Sequence, residues 1–215
     1  MQKKNLIVFD IDGTLTNTVH LHQMAFKKGL QSIGVSTFND AFSTYKHHTD
    51  LHIARVIYES STGNPFLPAT LHTFETFLYE EIKQETILEI NGAKKLIEKL
   101  ELHTDFGVCF ATGSLYQPAT LKLNRIGVSF NPLQLVASNT IEERENIVNQ
   151  AIHNAKQYYS TSQFDRIIAV GDGLWDLLTA KNLNLEFIGI GTSNREIMQA
   201  NGMLTHFEDL QDFTF

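Results

Sequence analysis

Five short apolar runs, each closing on small or acidic residues, limit the folds open to this chain. They read LIVFDIDG (6–13), FGVCFATGS (106–114), LQLVASN (133–139), RIIAVGDG (166–173) and EFIGIGTS (186–193). Apolar runs of about four to eight residues bounded by Gly, Ser and Asp are the pattern of strands buried on both faces of a parallel sheet. Helical patterns separate them. AKKLIEKL (93–100) puts Leu96, Ile97 and Leu100 on one face, and ATLKLNRIG (119–127) ends in a glycine suited to a helix stop. ENIVNQAIHNAKQ (145–157) carries Ile147, Val148, Ala151, Ile152 and Ala155 as a stripe. This alternation predicts an α/β fold, a Rossmann-like parallel sheet with right-handed crossovers.

Residues 17–88 break the rhythm. VHLHQMAFKKGLQSIG, DLHIARVIYES and LHTFETFLYEEIK read as helices, the last preceded by the breaker GNPFLP, and no apolar strand lies among them. The chain therefore divides into an α/β core, 1–16 and 89–215, and an all-helical insertion, 17–88.

Composition removes several classes of function. The formal net charge is −7 and basic residues come only in pairs such as Lys27-Lys28 and Lys94-Lys95, so neither a nucleic acid nor an acidic membrane is an expected partner. The first apolar run is too short for a signal peptide, and no segment approaches the roughly 20 apolar residues of a membrane span. A cytoplasmic protein, monomer or homodimer, is expected. Cys109 is the single cysteine, in the apolar run FGVCFA, and reads as a small buried hydrophobe.

In open α/β sheets, ligands bind beyond the carboxyl ends of the strands. Here those ends carry Asp10, Asp12, Thr112, Ser114, Asp172 and Asp176. Buried carboxylates are costly unless paired or bound to metal, and several together repel one another. A hard divalent cation with oxygen ligands resolves the conflict, and Mg²⁺ characteristically combines a few carboxylates with water and substrate phosphate.

This constellation resembles the haloacid dehalogenase superfamily, in its phosphatase branch, over essentially the whole chain. The first motif, DxDGT, is matched by Asp10, Asp12, Gly13 and Thr14. The second, a strand ending in Ser or Thr, is matched by Thr112 in FATGS. The fourth, GDxxxD, is matched by Gly171, Asp172 and Asp176 in GDGLWD. The helical insertion looks like the family's cap. The resemblance implies a Mg²⁺-dependent phosphatase acting on a small phosphorylated metabolite, with a phosphoglycolate-phosphatase-like enzyme as the nearest match. Asp10 would be the nucleophile and Asp12 the general acid and base. Thr112, with Gly113 in the same loop, would bind the phosphate. The Asp10 and Asp172 carboxylates with the Asp12 backbone carbonyl would hold Mg²⁺, and Asp176 would orient the metal shell or a cationic residue. A phosphomutase resembling β-phosphoglucomutase, or a non-catalytic binding protein on the same fold, are the alternatives. Asp12 argues against a dehalogenase, because those relatives lack the second acid.

The family's third motif is usually a Lys, and no Lys-Pro signature occurs between residues 130 and 165. The candidates are Arg144 and Lys156, both on the stripe Arg144, Val148, Ile152, Lys156. Twelve residues at 1.5 Å each separate them by roughly 18 Å. A helix leading into RIIAVGD begins at the carboxyl edge of the sheet, which favours Arg144. In the insertion, YKHHTDLH (45–52) is the densest histidine cluster; a solvated face or a helix cap on Thr49 or Asp50 is its favoured reading, and Lys46 and His47, or His48, are the substrate contacts it would offer. A metal site from His48, Asp50 and His52 is the less favoured reading of that cluster. Trp175 is left as either core packing or a pocket wall.

Overall fold

The computed structural model describes residues 2–214. Six parallel strands form one sheet in the order β3-β2-β1-β4-β5-β6. They are β1 (Asn5–Phe9), β2 (Phe106–Ala111), β3 (Leu135–Val136), β4 (Arg166–Gly171), β5 (Glu186–Ile190) and β6 (Thr205–Phe207). Eight α-helices connect them: α1 (Val19–Ser32), α2 (Asp50–Thr62), α3 (Pro68–Lys83), α4 (Ala93–His103), α5 (Tyr116–Arg125), α6 (Arg144–Tyr158), α7 (Leu174–Asn182) and α8 (Arg195–Ala200).

The period of two along β1 sorts its residues onto two faces. Ile7 and Phe9 join Val108 and Phe110 of β2, Ile168 and Val170 of β4, and the apolar faces of α4 and α5. Leu6 and Val8 join Cys109, Ala111 and the α6 stripe Ile147, Val148, Ala151, Ile152 and Ala155. A strand covered on both sides has to be apolar throughout, which is why LIVF does not alternate. Cys109 is buried with no disulfide partner, and burial pushes its thiol well above the ordinary range.

Helices α1, α2 and α3 lie between β1 and α4, as the broken rhythm predicts. They enclose a separate apolar cluster built on Phe26, Leu30, Ile53, Ile57, Phe74 and Leu78. Leu115, from the loop after β2, closes that cluster from the core side. No helix among the described residues is long and apolar enough to cross a membrane.

Two strands depart from expectation. The run 133–139 yields only Leu135–Val136, because Pro132–Gln134 forms a 3₁₀ turn closed by Asn131. Gln134 is then spent on the Val108 carbonyl (2.9 Å) rather than on extending the strand. β6, a short edge strand in THF, carries no apolar run to announce it.

Candidate active site

β1 and β4 pair in parallel, with Phe9 beside Val170, so their carboxyl ends deliver two acidic motifs side by side. Asp10 extends the ladder by donating its N–H to the Val170 carbonyl (2.9 Å). The chain then turns sharply: Gly13 has φ +83°, and its N–H donates to the Thr16 carbonyl (2.8 Å). A Cβ on Gly13 would lie 2.3 Å from Asp172 Oδ2. The glycine of the first motif thus makes room for the acid of the fourth. At the start of α7 the Asp176 carboxylate accepts the Gly173 N–H (3.1 Å).

Arg144 opens α6 and enters the same space, 9% exposed. Its Nη2 donates to Asp10 Oδ1 (3.2 Å) and to Asp176, and its Nη1 donates to the His48 carbonyl (3.3 Å). The guanidinium passes so close to Gly113 that a Cβ there would sit 2.6 Å from Nη1. Lys156 lies in the last turn of the same helix, away from this edge of the sheet.

Asp10, Asp172 and Asp176 present carboxylate oxygens all within 4.8 Å of one another. Burial, then the Asp176 charge, push the Asp10 carboxyl up to about 8, against the pull of Arg144. Burial and the neighbouring acids raise Asp172 well above its ordinary value too. Asp172 Oδ1 is buried without any hydrogen-bond partner. An orphaned carboxylate oxygen inside an all-oxygen donor set fits a hard dication such as Mg²⁺.

The Asp12 side chain goes elsewhere. Lys122 on α5, fully buried, places its ammonium 2.6 and 2.7 Å from the two Asp12 oxygens. Thr18 Oγ1 donates to Asp12 Oδ1 (2.5 Å). Burial alone would raise Asp12, but Lys122, His22 and Thr18 bring it below the ordinary carboxylate range. Lys122 also donates to His22 Nδ1 (3.0 Å) and Ser114 Oγ (3.2 Å), so all three ammonium donors are used. His22 Nε2 in turn donates to Asp50 Oδ1 (2.9 Å). Asp50, the first residue of α2, accepts the Leu115 N–H (3.0 Å) and donates its own N–H to the Gly113 carbonyl (2.8 Å). One polar chain therefore runs from the helical insertion, through the loop after β2, to Asp12.

A cavity of about 100 Å³ opens over Asp10, Asp12, Thr112, Gly113 and Arg144. Thr112 is buried, with its hydroxyl accepting the Ser114 N–H (3.1 Å). Trp175 is a cavity wall, stacked on the His48 ring at 3.8 Å. Lys46 and His47, the expected substrate contacts, are not among the cavity's lining residues. Lys46 is exposed, and His47 turns to Glu143 (3.8 Å) and the His52 ring. His48 takes the place by the cavity instead. His48, Asp50 and His52 do not converge: His52 pairs with Glu142 (2.8 Å) and Asp50 with His22.

Sequence reasoning missed Lys122 and His22, and named His48 only within the 45–52 cluster. For Lys122 a signal existed, since it stands between Leu121 and Leu123, both buried. His22 carried no such mark.

Residues 7–190 match the family described as haloacid dehalogenase-like hydrolase. The chain belongs to that family. Its similarity extends to the phosphoglycolate phosphatase of Vibrio cholerae, 25% identical over 197 residues, covering 88% of this chain and 85% of that protein. Among solved structures, CbbY of Rhodobacter sphaeroides, in a D10N mutant bound to xylulose-1,5-bisphosphate, superposes with a TM-score of 0.75. It is 18% identical, with 96% of this chain and 95% of that one covered. A family IA HAD hydrolase of Entamoeba histolytica superposes with a TM-score of 0.73 at 16% identity, covering 98% and 96%.

Proposed function

We propose that the protein is a Mg²⁺-dependent phosphatase that hydrolyses a small phosphate monoester through an aspartyl-phosphate on Asp10. The observation that carries this reading is the division of labour between two carboxylates one residue apart. Asp10 sits with Asp172 and Asp176 against Arg144, whereas Asp12 is held separately by Lys122. Two acids in different environments suit two different tasks.

In the first step an Asp10 oxygen attacks phosphorus, the P–O bond to the alcohol breaks, and the alcohol oxygen takes a proton from Asp12. In the second, Asp12 removes a proton from water, the water oxygen attacks phosphorus, and Asp10 is released with inorganic phosphate. Lys122 biases Asp12 towards its ionised form in the free site, the form the second step needs, so Asp12 takes up from solvent the proton that it passes to the alcohol in the first step. Arg144 remains charged and spans the nucleophile and Asp176, so it can meet phosphoryl oxygens without losing its place. Thr112 offers its hydroxyl and Gly113 its backbone N–H to the phosphoryl group, while the Ser114 N–H is spent on the Thr112 oxygen. A bound Mg²⁺, held by Asp10, Asp172 and the Asp12 carbonyl, would neutralise phosphoryl charge and keep Asp10 ionised. The helical insertion, residues 17–88, acts as the cap that closes the cavity. Its Asp50 and His22 contacts to the core support that role.

Free-phosphate release from p-nitrophenyl phosphate, with Mg²⁺ and with a chelator, tests the reading. Turnover that needs the metal and vanishes in Asp10→Asn is expected. Release that survives Asp10→Asn overturns the nucleophile assignment.

A further inference from the structure

The phosphatase reading accounts for the phosphoryl end of the cavity and leaves the opposite end unassigned. That end is walled by Val19, His22, Gln23, His48, Asp50 and Ile53. A recess of about 60 Å³ continues it beneath Phe26 and Phe42. We propose that the alcohol released from the natural substrate is small, uncharged and hydroxyl-bearing, with neither a carboxylate nor a second phosphate. This rests on the phosphatase reading above.

Charge carries the first half of the inference. A second anionic group would need a cation at the insertion end, and the described lining supplies none. Arg144 is committed to Asp10 and Asp176, and Lys122 to Asp12, His22 and Ser114. Of the insertion's other cations, Lys27, Lys28, Arg55 and Lys83 pair with Asp40, Glu81, Glu142 and Glu80, and Lys46 is exposed and outside the lining of both the cavity and the recess. The fixed charge that does face this end is Asp50, a carboxylate, and it repels an anion. Discrimination by a like charge in a partly enclosed site is a specificity device in its own right.

Hydrogen bonding carries the second half. His48 lines both the cavity and the recess. Its Nδ1 is buried without a partner. With the proton on the other nitrogen, Nδ1 is an acceptor, and the group that completes it is a donor such as a hydroxyl. Burial and the Arg144 charge push His48 down to about 4, so the ring stays neutral at physiological pH and is no anion receptor. A buried acceptor left empty by an analogue lacking the hydroxyl penalises that analogue.

The test compares kcat/KM for four esters: glycerol 3-phosphate, 3-phosphoglycerate, propyl phosphate and p-nitrophenyl phosphate. The first two differ by a hydroxymethyl against a carboxylate, and the third lacks free hydroxyls. Glycerol 3-phosphate is expected to exceed both 3-phosphoglycerate and propyl phosphate by about tenfold or more. His48→Phe should compress the preference over propyl phosphate. Gln23→Lys, at an exposed rim position, should raise 3-phosphoglycerate relative to glycerol 3-phosphate. Hydrolysis of p-nitrophenyl phosphate together with a preference for 3-phosphoglycerate overturns the substrate class and leaves the phosphatase reading standing. So does equal use of propyl and glycerol phosphates. No phosphate release from any of the four overturns the phosphatase reading and the substrate class with it.

Discussion

Lys122 holds the Asp12 carboxylate from a position with no solvent exposure, its ammonium within 2.7 Å of both oxygens. Removing one member of such a buried pair strands the other, at a cost of about 3–5 kcal/mol. Lys122→Met should therefore lower the denaturation midpoint substantially. It should also raise the Asp12 pKa, because the cation that depresses it is gone. The acid limb of the pH–rate profile then moves to higher pH. A destabilised variant with an unmoved acid limb would show that Lys122 supports the fold and does not set the charge of Asp12.

Arg144→Ala should slow turnover strongly and weaken competitive inhibition by inorganic phosphate. It removes the one guanidinium that touches both Asp10 and Asp176. Lys156→Ala, at the other end of α6, should leave kinetics near wild type. Steady-state kinetics of the two variants checks this pair, and the reverse order of effect would sink the Arg144 assignment.

Metal-free protein should become less stable as the pH rises from about 4 to about 8. The sign follows from Asp10, raised to about 8, and Asp172, raised well above its ordinary value. The folded state keeps protons that the unfolded chain releases near its ordinary carboxyl pKa, so folding is favoured at low pH and that advantage fades as Asp10 and Asp172 ionise. Mg²⁺ should accordingly raise the melting temperature more at about pH 8 than at about pH 5. Calorimetry with chelator and with Mg²⁺ measures both slopes. A Mg²⁺ effect independent of pH would contradict the metal assignment.

Asp12→Asn should impair alkyl phosphates far more than p-nitrophenyl phosphate. A poor leaving group needs protonation and p-nitrophenolate does not. Equal losses on the two ester types would count against Asp12 as the leaving-group acid.

Glu142 should govern acid sensitivity of the contact between α2 and the core. It accepts two donors from Arg55 (2.7 and 2.8 Å) and pairs with His52 Nδ1 (2.8 Å). The Arg55 hydrogen bonds draw its carboxyl down to about 2 despite partial burial. Stability from this contact is present above the ordinary glutamate pKa and is lost as the pH falls towards about 2. Because Arg55 and Glu142 are each roughly a third exposed, Glu142→Gln should cost only about 1 kcal/mol near neutrality. Its unfolding profile in acid should be flatter than wild type.

The sheet was legible because burial on both faces demands uninterrupted apolar runs, and LIVF and RIIAVG have them. The acidic strand ends were legible for the opposite reason, since carboxylates directly after such runs have no cheap structural excuse. Arg144 could be placed from helix length and sheet direction alone. Lys122 carried only the faint signal of its flanking Leu121 and Leu123, because its three acceptors come from Asp12, His22 and Ser114, far apart in sequence. Lys46, His47 and His48 could not be told apart because an irregular segment has no period to assign a facing side chain. Of the three, His48 lines the cavity, stacked on Trp175.

β1 is synthesised first and sits in the middle of the finished sheet. Its pairing partners arrive late: Asn5 lies beside Phe106 and beside Arg166. Asp10 at its end is therefore without its acidic neighbours during most of translation, on an apolar strand with both edges open. The acidic cluster cannot assemble gradually as the chain emerges. It arrives when β4 docks and carries Asp172 into the hollow left by Gly13. Long-range pairing of this kind slows folding and lengthens the time during which a sticky segment is unguarded. The arrangement that makes the site compact also leaves both edges of β1 waiting for partners about 100 and 160 residues further on.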